Sequence, residues 1–167
     1  GTITIDSTVS RGTIVRLYLP RATRDDADVE QPNQAPVRRH SPGGEVILVV
    51  EDDSRVRKTA SNILRKHGYE VVEAEDAGEA LQAVDRLSRL DLLFTDVVLA
   101  NGINGSDLAH QVLCRRPNTR ILLTSGYAQH SASVDNLLGE GIELLAKPYR
   151  GAELASRVRN LLDRPAG

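Results

Sequence analysis

"VILVVEDDSRVRKTA" (Val46–Ala60) decides the fold. The run Val46–Val50 is apolar at every position rather than at every second one. A strand of that kind is covered on both faces, which places it in a parallel sheet between helix layers. It stops at Glu51-Asp52-Asp53, and the period then changes. Val56, Ala60, Ile63 and Leu64 recur on one helical face until Gly68 provides a C-terminal stop.

The same alternation continues outward. "YEVVEA" reads as a strand of edge type. "DAGEALQAVDRLSR" reads as a helix opened by Asp76, with Glu79 three residues on in near capping-box spacing. Then follow the strand "LDLLFT", a loop, the helix "SDLAHQVLCRR", the strand "RILLTS", a helix through "SASVDNLLGE", the strand "IELLA" and the helix "GAELASRVRNLLDR". Five strands alternating with five helices predict an α/β fold: a doubly wound, five-stranded parallel sheet. Upstream, residues 1–20 read as a β-hairpin, with "TITIDST" and "TIVRLYLP" alternating about "VSRG". A lone hairpin is marginal in water, so this one belongs to a larger sheet or packs on the remainder. Residues 21–44, with "QPNQAPVRRHSPGG", read as a linker, which leaves 45–163 as the sheet domain.

Composition narrows the function classes. The 167 residues carry 21 basic and 23 acidic side chains, a formal net charge of −2, so no electrostatic case exists for nucleic acid. No apolar run approaches the roughly 18 residues of a membrane span, so no direct membrane contact is expected. The single cysteine, Cys114, excludes an internal disulfide, fits a reducing cytoplasmic setting and reads as a packed thiol. His40, His67, His110 and His130 share no spacing and read as surface residues. A chain opening at Gly1 without any Met is expected to be a piece of a longer protein.

In doubly wound sheets the chemistry sits beyond the carboxyl ends of the strands. Those ends are Glu51-Asp52-Asp53, Asp96, Thr124-Ser125 and Lys147, the last followed at once by Pro148. Only three lysines (Lys58, Lys66, Lys147) occur in the chain, and a lysine is costly at the end of a buried strand. Carboxylates about 5 Å apart repel by roughly 3 kcal/mol per pair at an effective dielectric of 20. Either one is protonated or a cation sits among them. An all-oxygen donor set suits a hard ion such as Mg²⁺. Asp96 is then placed to attack a phosphoryl group, with Lys147 and the Thr124 hydroxyl holding its oxygens. A tight turn after the strand invites a cis Lys147–Pro148 bond, and the sequence leaves that isomer open.

Taken one at a time, each of these residues has a plain explanation. An acidic triplet suits a helix N-terminus, an aspartate caps a loop, and a lysine snorkels. Their occurrence together, in order, at successive strand ends is what points to a site.

"VILVVEDDSRVR", "LLFTDVVLANGING", "ILLTSGYA" and "LLAKP" resemble the receiver domain of bacterial two-component response regulators, over residues 46–162. The resemblance implies a flavodoxin-like strand order of 2-1-3-4-5, with Asp96 as phosphoacceptor, Thr124 as switch hydroxyl and Lys147 as phosphoryl partner. It implies Mg²⁺ held directly by Asp52, Asp96 and the main-chain carbonyl of Val98, with Glu51 acting through water. Asp53 falls outside the acidic pair as a helix-start residue. Three departures stand out. Leu144 occupies the place of an aromatic on the last strand, Ala100 that of a proline, and the loop "VVLANGING" is longer by one residue, as in receivers attached to hybrid histidine kinases. Tyr127, which could replace the aromatic, reads rather as a loop residue.

"GTITIDSTVSRGTIVRLYLPR" resembles the final two strands of a histidine-kinase ATPase domain, whose nucleotide-binding boxes are absent here. The two resemblances imply a hairpin remnant, a linker and a receiver at the end of a hybrid kinase. The receiver would catalyse only its own phosphorylation and dephosphorylation. Its implied partners are a histidine kinase or a histidine phosphotransfer domain, with homodimerisation through the parent kinase. Two rival functions remain open at this stage. One is a scaffold binding proteins without phosphorylation. The other is a phosphatase of the haloacid dehalogenase type, which needs a carboxylate where Val98 stands.

Overall fold

The computed structural model describes residues 1–20, 44–99, 104–126 and 142–164. The chain divides into two compact units, Gly1–Val37 and Arg38–Gly167.

In the first unit, β1 (Thr2–Thr8) and β2 (Gly12–Tyr18) form an antiparallel hairpin in which Ile3 faces Leu17 and Ile5 faces Val15. The turn is closed by the Arg11 N–H on the Thr8 carbonyl, and Ser10 and Gly12 both have positive φ. Alternation puts Ile3, Ile5, Val15 and Leu17 on one face, and all four are exposed. The other face carries the Arg16–Asp6 ion pair.

The second unit is the sheet domain. Its strands are β3 (Val46–Val50), β4 (Glu70–Ala74), β5 (Leu92–Asp96), β6 (Arg120–Ser125) and β7 (Ile142–Ala146). Their order is β4-β3-β5-β6-β7 and every pairing is parallel. Counted within the domain this is the expected 2-1-3-4-5. The described helices are α1 (Ser54–Lys66), α2 (Ala77–Arg86), α3 (Gly105–Arg115) and α4 (Gly151–Leu162). The helix expected through "SASVDNLLGE", like Tyr127, His40, His130 and Ala100, lies outside the described residues.

Both faces of the sheet are covered, which explains the unbroken apolar strands. Ile47, Val49, Leu92, Phe94, Leu122 and Leu145 pack with α1 and α4 through Ala60, Leu64, Leu154, Val158 and Leu161. Leu48, Val50, Leu93, Ile121 and Leu123 pack with α2 and α3 through Ala80, Val84, Leu108 and Val112. Each fully buried Leu or Ile contributes about 1.5–3 kcal/mol of transfer free energy. Leu144 is half-buried against the second of these clusters.

The helix ends follow their sequence signals. Asp53 caps α1, its carboxylate accepting from the N–H groups of Arg55 and Val56. Those bonds hold its pKa below the ordinary aspartate value. Gly68, at φ 91, ends that helix in a conformation only glycine adopts without strain. Asp76 caps α2 through the Glu79 N–H, and the Glu79 carboxylate reaches back to the Glu75 N–H, one residue outside an ideal capping box. Cys114 corrects the sequence reading, for it is exposed. Val112 takes the core-facing position of α3, and Cys114 lies two residues, about 200°, further round the helix.

Candidate functional site

Parallel strands all end on one rim, so residues far apart in sequence meet there. Glu51 follows the last residue of β3, and Asp96 ends β5, the neighbouring strand. In the ladder Asp96 lies opposite Thr124 of β6. The Lys147 N–H bonds the Ser125 carbonyl and so continues the β6–β7 pairing one residue past β7. The Lys147–Pro148 bond is cis.

Lys147 crosses this rim. Its Nζ donates to Asp96 Oδ2 at 2.6 Å and to Glu51 Oε2 at 2.9 Å. The other oxygen of Asp96, Oδ1, accepts from the Val98 main-chain N–H at 3.2 Å. Both phosphoacceptor-candidate oxygens are therefore oriented, one by a charge and one by the backbone. Burial lowers the Lys147 pKa, but the hydrogen bonds and charges of Asp96 and Glu51 outweigh it and raise the pKa above the ordinary lysine value. Lys147 thus stays an ammonium. Burial pushes the Glu51 carboxyl upward, with Asp96 and Asp52 acting in the same direction against Lys147. Lys147 therefore does not fully offset the cost of keeping the buried Glu51 carboxyl charged.

The remaining sequence candidates sit around this triad. Thr124 is buried, at 1% exposure, beside Asp96 in the ladder. Asp52 is exposed at the turn, where its Oδ1 accepts from the Asp53 N–H at 3.0 Å. Val98, an exposed valine, stands where a dehalogenase-type phosphatase needs a carboxylate. Glu51, Asp52 and Asp96 do not converge as a ready-made cage, and no cluster of three or more His, Cys, Asp or Glu placed to hold a metal occurs among the described residues. The physical reason is visible in the contacts, since Lys147 stands between Glu51 and Asp96 and takes up both.

Two features escaped the sequence reading. Gly105, the first residue of α3, is buried and its N–H bonds the Val97 carbonyl at 2.8 Å. A Cβ at this position would lie 1.9 Å from the Asp96 carbonyl oxygen. Only glycine lets α3 start directly against the backbone of Asp96. Arg57 is the second. It is only 13% exposed, and its Nη1 reaches the Glu51 carbonyl at 2.5 Å.

The model of the response regulator receiver domain family matches residues 47–159. The chain belongs to that family. Among curated proteins, the receiver resembles the aerobic respiration control protein ArcA of Escherichia coli (strain K12), with 35% identity over 71% of this chain and 48% of that protein. The sensor kinase CckA of Brucella abortus (strain 2308) is 28% identical over 98% of this chain, hairpin included, and 18% of that protein. The chain thus spans less than half the length of either relative. Among solved structures, the receiver domain of the hybrid histidine kinase CckA aligns with a TM-score of 0.60 and 34% identity over 71% of this chain and 99% of that one. A putative response regulator from Chloroflexus aurantiacus J-10-fl gives 0.64 and 34% over 73% and 100%. The receiver is a domain of two-component signal transduction. No helix among its described residues is long and apolar enough to cross a membrane.

Proposed function

We propose that this receiver takes a phosphoryl group from a phosphohistidine onto Asp96 and serves as the receiver of a hybrid histidine kinase, relaying the group or regulating the attached kinase. The observation that carries the reading is the Lys147 ammonium at 2.6 Å from Asp96 Oδ2, with Val98 N–H on Oδ1. The carboxylate is held as an oriented nucleophile. One of its oxygens forms the new P–O bond, the P–N bond to the donor imidazole breaks, and the electron pair returns to the ring nitrogen, which takes a proton. Lys147, already at the rim, then balances charge on the phosphoryl oxygens, and the Thr124 hydroxyl is one ladder step away to donate to another.

The donor set fits a hard divalent cation, Mg²⁺ above all, because it offers only oxygens and too few carboxylates to displace all of the ion's waters. Asp52, Asp96 and the Val98 carbonyl would hold it directly and Glu51 through water; bound there, Mg²⁺ supplies charge neutralisation for the entering phosphoryl group. The hybrid-kinase setting is supported by the alignment with the sensor kinase, which runs through the hairpin and residues 21–44 as well as the receiver. It is also supported by the resemblance of residues 1–21 to the end of an ATPase domain. In this reading residues 1–20 are that remnant, 21–44 the linker and 45–163 the receiver, with a histidine kinase or histidine phosphotransfer domain as partner.

The test is incubation with acetyl phosphate and Mg²⁺ followed by intact mass. One phosphoryl group should be added, labile to hydroxylamine, dependent on Mg²⁺ and lost in Asp96→Asn. A mass gain that survives in Asp96→Asn overturns the assignment, and no gain in the wild type favours a phosphorylation-independent scaffold.

A further inference from the structure

We propose that Arg57 is the positioning residue of the acidic turn: it fixes the main chain of Glu51 and Asp52, the two acids that follow β3, and it thereby sets the affinity of the rim for a divalent cation. The inference deepens the phosphoacceptor reading and rests on it.

Arg57 lies in the first turn of α1, where a cation opposes the helix dipole. Helix stability therefore does not explain its place. Nor does ordinary surface pairing, because its side chain is only 13% exposed. It bends back across the helix start, and Nη1 donates to the Glu51 carbonyl at 2.5 Å and approaches the Asp52 carbonyl at 3.4 Å. The carboxylates of Glu73 and Glu75 stand further off, at 3.8 Å from Nε and 3.9 Å from Nη2. Those distances exceed hydrogen-bond reach, so the short contacts decide what the guanidinium does, and they are to backbone. The two glutamates balance its charge from the β4 side.

The consequence is geometric. Peptide units are planar, so holding two successive carbonyls fixes the peptide planes on either side of Asp52 and with them the directions of the Glu51 and Asp52 side chains. A second fastening, from the Glu51 N–H to the Ala74 carbonyl at 3.3 Å, ties the same turn to the end of β4. This matters because carboxylates crowded on one rim repel, and a slack turn would let Asp52, which is exposed, swing into solvent. Arg57 touches neither substrate nor metal. It works through the main chain, as groups behind metal ligands do.

The experiment measures acetyl-phosphate labelling of the full chain against Mg²⁺ concentration, with direct Mg²⁺ titration by calorimetry and thermal unfolding in EDTA alongside. Arg57→Ala should raise the half-saturating Mg²⁺ about tenfold. The rate at saturating Mg²⁺ should stay within about twofold of wild type, a split that separates positioning from chemistry. Arg57→Lys keeps the charge but loses the fork, so it should show a smaller rise in the same direction and should decide the matter alone if Arg57→Ala does not fold. Unchanged half-saturation overturns the inference while leaving the phosphoacceptor reading intact. So does a loss of rate equal at all Mg²⁺ concentrations together with a lower Tm, the mark of a merely structural arginine. A wild type that gains no mass at any Mg²⁺ concentration sinks both.

Discussion

Gly105→Ala places a methyl group 1.9 Å from the Asp96 carbonyl oxygen and 2.9 Å from its carbon. A carbon does not come closer than about 3.0 Å to such an oxygen, so relief requires α3 and the Asp96 backbone to part by roughly 1.1 Å. Neither partner is a flexible side-chain end, because one is main chain and the other is the first residue of a helix packed through Leu108 and Val112. Overpacking of this kind costs about 1–3 kcal/mol, and parting the backbones also weakens the Gly105 N–H bond to Val97. Replacing glycine by alanine in a helix returns at most about 1 kcal/mol, and less at the first position. A net loss of about 2 kcal/mol should lower Tm by about 6–12 °C in a domain of this size. Function should suffer more than stability, since a displacement of about 1 Å at a reacting group can cost about a hundredfold in rate. The assays are calorimetric melting in EDTA and the acetyl-phosphate labelling rate. Gly126→Ala is the internal control, because a Cβ there meets nothing within 4 Å. A Gly105→Ala protein that melts with the wild type, or labels at an undiminished rate, refutes the close-approach account.

Three further outcomes are expected. Val98, two residues beyond Asp96 and 72% exposed, offers no hydrogen bond to a water behind phosphorus, so Val98→Asn should shorten the lifetime of the phosphorylated state. An unchanged or longer lifetime, followed by intact mass after removal of phosphodonor, counts against that reading. Leu144 has neither ring nor hydroxyl to move, so beryllofluoride should perturb amide exchange strongly around Asp96 and Thr124 and only modestly along Ile142–Leu145. Comparable changes in both places would remove the idea of a muted switch. The Asp53 cap is stronger when ionised and its pKa is lowered by folding, so its contribution is present above the ordinary value of 3.8 and lost as pH falls below it. The Tm difference between wild type and Asp53→Ala should accordingly shrink on acidification from pH 6 to pH 3, and a constant difference would contradict it.

Much of this was legible in sequence because parallel strands convert order into place. Once Val46–Val50, Leu92–Asp96, Arg120–Ser125 and Ile142–Ala146 read as parallel strands, Glu51, Asp96, Thr124 and Lys147 had to share a rim. The apolar faces of α1 and the caps at Asp53 and Asp76 were local signals of the same kind. What could not be read was non-local and backbone-directed. The need for glycine at 105 comes from a carbonyl nine residues earlier, across a loop whose path carries no period. The partners of Arg57 are two carbonyls and the carboxylates of Glu73 and Glu75, and "SRVRK" looks the same whether its arginines face water or the preceding turn. Cys114 reads as packed from residue type alone, whereas its place on α3, two positions past the core-facing Val112, turns it to solvent.

The charge arrangement at the two ends of the sheet separates a site from a staple. At the amino ends of the strands, Arg159 is 13% exposed and pairs with Glu45, 11% exposed, at 3.0 Å and with Asp163 at 2.8 Å. Asp163 is largely exposed, so water settles part of its charge and the buried pair is close to neutral. At the carboxyl ends, Glu51 and Asp96 share one ammonium, Lys147, and a third carboxylate, Asp52, stands exposed at the adjoining turn. Fully ionised, that set carries a formal excess of two negative charges, which is the charge of one divalent cation. The upward push on Glu51 comes first from its burial, with Asp96 and Asp52 adding to it against Lys147. A domain built only for stability gains nothing from this asymmetry, whereas a domain that must admit a cation and then a phosphoryl group requires it. The phosphoryl group brings about two negative charges of its own, so the cation and Lys147 are both needed if the phosphorylated rim is not to repel itself open. Removing Lys147 should therefore weaken the consequences of phosphorylation more than the binding of Mg²⁺, while removing Asp52 should do the reverse.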